Sequence, residues 1–244
     1  MKKKVFVVLS VMSLFVLSAA AQSVDEIVKK NIEAHGGYEA QKNVNSMIMK
    51  GTITQMGMEI SMKMYQKRPN KRRMEATVQG MTIVDCFDGE TAWMINPITG
   101  DPAPREKSPE EAKLVKNDAD FDGHLLDYKE KGHTVELLGT EDLEGTEVYK
   151  LKVTLKSGTV VYYYLDTEHC IELKTSSTIT QQGQEIVSDT FFSDYKPVGE
   201  LMVAHAIEQH LNGQTSMQIA INEVIFNSEI DDSLFEMPSD GASE

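Results

Sequence analysis

Residues 58–64 read Met-Glu-Ile-Ser-Met-Lys-Met, so apolar and polar side chains alternate along the whole stretch. Because successive side chains of a β-strand point to opposite faces, this alternation predicts a strand with one apolar and one polar face. Turn residues separate it from two similar segments, which predicts three consecutive antiparallel strands. The apolar positions of the flanking segments are Met47, Met49 and Ile53 before it, and Met74, Ala76 and Val78 after it.

The same pattern continues through most of the chain. Asp88-Gly89 is typical of a tight hairpin turn and joins segments 81–87 and 91–95. Further alternating segments follow between residues 135 and 226. We expect about eleven or twelve strands in near-continuous up-and-down order, forming a single large antiparallel sheet. A sheet of this size curls, and its apolar face has to be covered.

Two helices are indicated by the residues at their N-termini. Ser23 and Glu26 have the spacing of a capping box, and a pair of glycines follows where this helix should end. Ser108 and Glu111 repeat the capping spacing, with Pro109 at the first helical position. These two helices are the elements available to cover the sheet.

The N-terminus has the pattern of a secretory signal peptide. Three lysines at 2–4 precede an apolar run at 5–17, and three alanines at 19–21 supply a cleavage site. We therefore expect residues 1–21 to be removed on export. No cysteine lies near the cleavage site, so we expect no lipid anchor. Residues 22–244 contain no repeat or linker and are predicted to form one domain.

The composition argues against one class of partner and leaves open whether the two cysteines form a disulfide. The chain of 244 residues has a formal net charge of −14, which argues against binding to nucleic acid. Its two cysteines, Cys86 and Cys170, fit either a disulfide or two free buried thiols. Established nucleophile, zinc, phosphate-binding and redox motifs are absent from the sequence. We therefore expect no catalytic residue, no bound metal and no cofactor.

Methionine is concentrated in one part of the chain, where nine of the 14 methionines lie between residues 47 and 94. Methionine is unbranched and polarizable, and it is common on surfaces that adapt to differently shaped ligands. The alternative is a structural core that happens to be filled with methionine. The alternation predicts that a ligand cavity is lined by Met47, Met49, Met58, Ile60, Met62, Met64, Met74 and Trp93.

Several longer stretches carry a family resemblance. They are His-Gly-Gly at 35–37, Lys-Arg-Pro-Asn-Lys at 67–71, Asp-Gly-Glu-Thr-Ala-Trp-Met-Ile-Asn-Pro at 88–97, Ala-Asp-Phe-Asp-Gly at 119–123, Leu-Leu-Asp-Tyr at 125–128 and Phe-Ser-Asp-Tyr at 192–195. Through them the sequence resembles the outer-membrane lipoprotein-sorting proteins of Bacteroidetes-type bacteria, relatives of the periplasmic LolA and LolB carriers. The resemblance extends from about Val24 to Pro238.

The resemblance implies a mainly β fold with few helices, in which a half-open, incomplete antiparallel barrel has its concave face covered by helices. It also implies a monomeric periplasmic carrier that holds lipoprotein acyl chains during sorting to the outer membrane. The implied partners are acylated lipoproteins or lipids, an inner-membrane lipoprotein-releasing complex and an outer-membrane acceptor. A lipid-sensing or regulatory module on the same fold is the alternative, and an enzyme is the least favoured function.

Overall fold

The computed structural model describes residues 23–181 and 184–239, and the predicted signal peptide at 1–21 lies outside these residues. The helices of the described chain are α1 (Val24–Ala34), α2 (Tyr38–Lys42) and α3 (Pro109–Asp118). Its strands are β1 (Ser46–Gln55), β2 (Met58–Lys67), β3 (Lys71–Val78), β4 (Met81–Phe87), β5 (Ala92–Asn96), β6 (Asp101–Glu106), β7 (Thr134–Leu143), β8 (Thr146–Thr154), β9 (Val160–Asp166), β10 (Glu172–Gln181), β11 (Gln184–Val198), β12 (Leu201–Leu211) and β13 (Gln214–Phe226).

All 13 strands of the described chain belong to one antiparallel sheet, in the order β6-β5-β4-β3-β2-β1-β13-β12-β11-β10-β9-β8-β7. The predicted single sheet, open like an incomplete barrel, is confirmed. The predicted near-continuous up-and-down order has one break, where the first strand pairs with the last. As a result β6 and β7, which are consecutive in the chain, form the two open edges. The chain passes from one edge to the other through α3 and residues 119–133.

Both predicted capping boxes are present. At the start of α1, the Glu26 amide donates to Ser23 Oγ at 3.2 Å, and the Ser23 amide donates to the Glu26 carboxylate at 2.9 Å. The same exchange joins Ser108 and Glu111 at the start of α3. The short helix α2 is not predicted by the sequence, because Gly37 at its N-terminus offers no capping side chain.

Strand β6 forms in a stretch of sequence that contains two prolines. Pro102 and Pro104 lie in this strand, and proline cannot donate a hydrogen bond to a neighbouring strand. At the edge of the sheet β6 pairs only with β5, so the missing donors cost little there. Proline therefore marks an edge strand in this chain.

The register of the first strands aligns their methionines. Met49, Met64 and Met74 lie directly opposite one another on β1, β2 and β3. The same row continues through Asp85 on β4 and Met94 on β5. Because paired residues share a face of the sheet, one face carries a row of methionines interrupted by a single carboxylate.

Helices cover this apolar face, as predicted. Val115 of α3 packs against Phe87, which lies on the same face as Met49. Ile27 and Val28 of α1 pack against Leu151 farther along the sheet. We call α1, α2, α3 and residues 119–133 together the helical cover.

The opposite face of β1–β5 is covered by the C-terminal segment, residues 227–239. Phe235 of this segment is fully buried and packs with Cys86 and Trp93. The Trp93 Nε1 donates a hydrogen bond to the Phe235 carbonyl at 2.8 Å. Both faces of the first strands are therefore covered, one by helices and the other by the end of the chain.

The two cysteines are free and buried. Cys86 lies in the cluster beneath the C-terminal segment, whereas Cys170 lies in the cluster beneath α1. Burial raises the pKa of the Cys86 thiol to about 12, so this group is protonated at neutral pH. Of the two alternatives left by the sequence, the structure shows two free buried thiols.

Candidate ligand-binding face

The structure places seven of the eight predicted lining residues on one face of the sheet. The pairing of β1 with β2 aligns Met49 with Met64 and Ile53 with Ile60, and Met74 on β3 aligns with Met64. The other members follow because alternate residues of a strand share a face. We call this surface the methionine face, and its residues are Met47, Met49, Met58, Ile60, Met62, Met64 and Met74.

Trp93 lies on the opposite face of the sheet, which corrects the predicted lining. It pairs with Cys86, and Cys86 pairs with Arg73. The neighbouring position on β3, Met74, pairs instead with Asp85. The register of the β4–β5 hairpin therefore turns the tryptophan towards the C-terminal segment, and a register shift of one residue is enough to reverse such an assignment.

Burial varies along the methionine face. Met49 and Met62 are buried, with 7% and 4% of their surface exposed. Met62 belongs to a cluster that also contacts Met217 and Ile219 of β13. Met58, near the tip of the β1–β2 hairpin, is 46% exposed. The face therefore extends from a covered interior to an open rim.

Two charged residues share this face and are missing from the predicted lining. Arg72 on β3 pairs with Gln66, and Asp85 on β4 pairs with Met74. The alternation places both on this face, since Arg72 precedes Met74 by two positions, but a selection of apolar residues alone omits them. The lining of the candidate site is thus apolar along the methionines and polar at Gln66, Arg72 and Asp85.

The spaces left between the helical cover and the methionine face are small. A cavity of about 150 Å³ lies where α2 and the segment after α3 approach β12 and β13, and its wall includes Met47, Phe121 and Phe226. Pockets that bind drug-sized ligands are roughly 300–1,000 Å³. In this closed arrangement a long alkyl chain does not fit unless the cover moves.

Arg68, directly after β2, joins the sheet to the helical cover. Its Nε donates to the Val44 carbonyl at 2.6 Å, and its Nη2 donates to the Gln41 carbonyl of α2 at 3.0 Å. The same guanidinium pairs with Asp122 Oδ1 at 2.6 Å and lies 4.7 Å from the centre of the Phe121 ring. A planar cation with several fixed donors thereby holds two parts of the cover at once.

Lys42 of α2 extends this contact into a network. Its Nζ lies 2.8 Å from Asp122 Oδ2 and 2.8 Å from Asp127 Oδ2. Hydrogen bonds to these two carboxylates raise the pKa of Lys42 to about 12. Burial favours the neutral form of Asp122, but the hydrogen bonds from Arg68 and Lys42 outweigh it, so the pKa of Asp122 is lowered. Charged contacts therefore help to hold the cover in place.

His35, at the C-terminal end of α1, links this helix to two strands. Its Nδ1 lies 3.1 Å from the Met202 carbonyl oxygen on β12, and its Nε2 contacts the Glu172 carboxylate on β10. A carbonyl and an ionised carboxylate only accept hydrogen bonds, so the imidazolium form, which carries a proton on each ring nitrogen, is the form that satisfies both contacts. Burial lowers the pKa of His35, but the Glu172 charge and the two hydrogen bonds outweigh it, and the pKa is raised.

We expect the wild-type chain to lose stability relative to a His35→Gln variant as the pH rises above neutrality. A histidine whose pKa is raised by folding stabilises fully below its unfolded pKa of about 6.5, and this contribution disappears as pH rises through the folded pKa. Urea unfolding at about pH 6 and pH 9 would measure the difference. The control is His205→Gln on β12, whose ring contacts the Val203 carbonyl. A wild-type advantage that is constant across this range would contradict the prediction.

No protein-family model and no curated protein matches the sequence. Solved structures do match it. A DUF1329 family protein from Desulfovibrio piger has a TM-score of 0.59 at 12% identity, over 88% of this chain and 98% of that one. A LolA superfamily protein from Nitrosomonas europaea has a TM-score of 0.57 at 12% identity, over 88% of this chain and 98% of that one.

A domain from Vibrio parahaemolyticus named for outer-membrane lipoprotein sorting has a TM-score of 0.53 at 14% identity, over 85% of this chain and 97% of that one. At such identities the likeness establishes the fold. The chain has the open, helix-covered sheet of the LolA type.

The described residues contain no helix that is long and apolar enough to cross a membrane. Among the same residues, no three His, Cys, Asp or Glu side chains lie close enough together to hold a metal ion. The candidate site consists of the methionine face, its two charged residues and the polar contacts of its cover.

Proposed function

We propose that the chain is a periplasmic carrier that holds the acyl chains of lipoproteins against the methionine face during their sorting to the outer membrane. The supporting observation is a largely apolar surface, built from adjacent strands and closed by a helical cover. Flexible methionines suit an alkyl chain because they repack around differently shaped ligands. In this proposal residues 22–244 form one lipid-binding domain, and residues 1–21 are the signal peptide that directs export.

The energetics are compatible with reversible loading. Each methylene transferred from water to an apolar surface gains about 0.8 kcal/mol, so four gain about 3 kcal/mol. Removing one partner of a buried ion pair costs about 3–5 kcal/mol, which is an upper limit for opening a contact whose two charges both return to water. An acyl chain of ordinary length can therefore displace a cover held by contacts such as Arg68–Asp122, and the cover can close again after release. Reversible binding requires no reaction, and we propose that the chain is not an enzyme.

The proposed partners follow from the cargo. Acylated lipoproteins or lipids occupy the methionine face, an inner-membrane lipoprotein-releasing complex supplies them, and an outer-membrane acceptor receives them. The carrier acts as a monomer in this scheme. A lipid-sensing module on the same fold is the alternative, and it differs by forming a stable complex with a protein partner.

Native mass spectrometry of the chain purified from its own periplasm tests the proposal. An acylated lipoprotein bound one to one is the expected result. A stable complex with a protein that carries no acyl chain would favour the sensing alternative. A chain that is empty, and that also fails to bind an added N-palmitoyl peptide, would overturn the carrier function.

We expect Asp122→Asn to accelerate uptake of a fluorescent acyl probe by about tenfold, which corresponds to about 1.4 kcal/mol of lost restraint on the cover. The substitution removes the charge that Arg68 and Lys42 share. The matched control is Asp120→Asn, because Asp120 pairs with Lys131 inside the cover itself, at 2.7 Å. Stopped-flow fluorescence measures both rates, and equal rates in the two variants would contradict the prediction.

A further inference from the structure

A polar recess of about 250 Å³ adjoins the methionine face, between β3, β4 and α3. Met74 belongs to its wall and also to the row that contains Met64. A ligand lying along Met49, Met64 and Met74 therefore meets this recess beside Met74. The residues that form its walls and roof include Arg72, Met74, Asp85, Lys107, Leu114 and Val115.

Arg72 has unused hydrogen-bonding capacity in this recess. Its side chain is only 15% exposed, and its nearest charged contact is Asp85 Oδ1, 3.6 Å from Nη1. Its Nη2 lies 4.0 Å from Met74 Sδ. Within residues 23–181 and 184–239, the guanidinium donates no hydrogen bond to an oxygen atom. A largely buried cation therefore retains free donors.

Asp85 has an unused hydrogen-bond acceptor in the same recess. Its Oδ2 pairs with Lys107 Nζ at 2.5 Å. Its Oδ1 is buried and has no hydrogen-bond partner among the described residues. Leaving a buried polar atom unpaired is costly, and a native structure that does so calls for an explanation. Arg72 and Asp85 form an ion pair at 3.6 Å, which is too long for a hydrogen bond. The recess thus presents donors of Arg72 and an acceptor of Asp85 that a ligand can still use.

Few ligand groups satisfy both atoms at once. In an extended residue the backbone N–H and C=O point to the same side, as they do in the paired residues of an antiparallel sheet. Such a residue can give its N–H to Asp85 Oδ1 and accept at its C=O from Arg72. An acyl chain attached to that nitrogen would then continue along the methionine face, which begins at Met74.

The charges around the recess disfavour a phosphate group. Glu111 and Asp118 also line the recess, but Glu111 is paired with Arg105 and burial raises the pKa of Asp118. Asp85 is therefore the carboxylate that a ligand bound to Arg72 would face. A phosphate offers only acceptors, so it satisfies Arg72 but faces the Asp85 carboxylate with like charge. A neutral amide avoids this repulsion.

We propose that Arg72 and Asp85 form a subsite for the backbone of an N-acylated amino acid residue. The subsite distinguishes an acylated peptide from an ordinary phospholipid. This inference deepens the proposed carrier function and rests on it.

A matched pair of ligands tests the subsite on the unmodified chain. One is an N-palmitoyl peptide, and the other is its ester analogue, in which oxygen replaces the acylated nitrogen. The ester keeps the alkyl chain and the carbonyls but has no N–H for Asp85 Oδ1. We expect the amide to bind roughly five- to hundredfold more tightly, because the ester leaves that oxygen unpaired.

Two variants test which residue causes the preference for the amide over the ester. In Asp85→Asn, Lys107 attracts the amide oxygen of the new side chain, which turns its NH₂ towards the ligand, so the preference for amide over ester should disappear. Arg72→Met should lower the affinity for both ligands about tenfold or more. The ratio of the two affinities should stay nearly unchanged, since both ligands keep the carbonyl. The control Lys63→Met removes one positive charge from an exposed position on the other face of β2. It should alter neither ligand's affinity.

The outcomes separate the two proposals. If the wild-type chain binds amide and ester equally well, or binds phosphatidylethanolamine as tightly as the acyl peptide, the subsite is overturned while the carrier function stands. Equal weakening by Arg72→Met and Lys63→Met would also overturn it, because general charge would then explain the effect. If the wild-type chain binds neither acyl ligand, the carrier function itself fails.

Discussion

Met64→Asp is expected to lower the affinity for an N-palmitoyl peptide at least a hundredfold. Met64 is half-buried in the centre of the methionine row, between Met49 and Met74. An alkyl chain lying on a carboxylate either strips water from the charge or forces it to take up a proton, and both are costly. Isothermal titration with the acyl peptide measures the loss directly.

Ser61→Asp is the matched control for this prediction. It adds the same charge to the same strand, but Ser61 is exposed and lies on the other face of β2, opposite Thr52 and Thr77. Met64→Leu should keep most of the affinity, since it preserves the apolar surface. If Met64→Asp folds and binds the peptide as tightly as Ser61→Asp does, the methionine face is not the ligand surface.

Phe235→Ala is expected to lower the free energy of unfolding by about 3–5 kcal/mol. Phe235 is fully buried against Trp93 and Cys86, and its ring fills the space between the C-terminal segment and the sheet. A loss of this size is a large part of the stability of an ordinary domain, which is about 5–15 kcal/mol. Trp93 is the only tryptophan, so its fluorescence reports the unfolding transition.

Met237→Ala controls for truncation of the same segment. Met237 lies two residues further along and is exposed, so its loss should change the free energy of unfolding by less than about 0.5 kcal/mol. If the two variants unfold at the same urea concentration, the C-terminal segment does not contribute to the stability of the sheet.

The methionine face could be predicted because its signal is local. Alternation along β2 assigns Ile60, Met62 and Met64 to one face without any knowledge of the neighbouring strands. The capping boxes at Ser23 and Ser108 could also be predicted from the sequence, since each is completed within four residues. The prediction that Trp93 lines the cavity was wrong because its face depends on the register of a hairpin. The apolar residues flanking Asp88-Gly89 are compatible with either face.

The sequence contains no comparable local pattern that predicts the contacts of the helical cover. Arg68 follows a strand and Asp122 lies in a turn, so nothing in either sequence neighbourhood indicates that the other is its partner. Arg72 and Asp85 share a face by alternation, but their unused hydrogen-bonding atoms become apparent only when α3 closes the recess above them. Such sites depend on groups brought together by packing.

The primary structure is sufficient to specify most of the strands, the starts of α1 and α3 and the apolar face of the first strands, because these depend on side chains within a few residues of one another. It leaves open which strands meet at the ends of the meander. Met47 pairs with Phe226 across most of the chain, and this contact makes β6 and β7 the open edges. Backbone hydrogen bonds between strands are alike for nearly all sequences, so the choice of partner follows from how the whole chain buries its apolar surface.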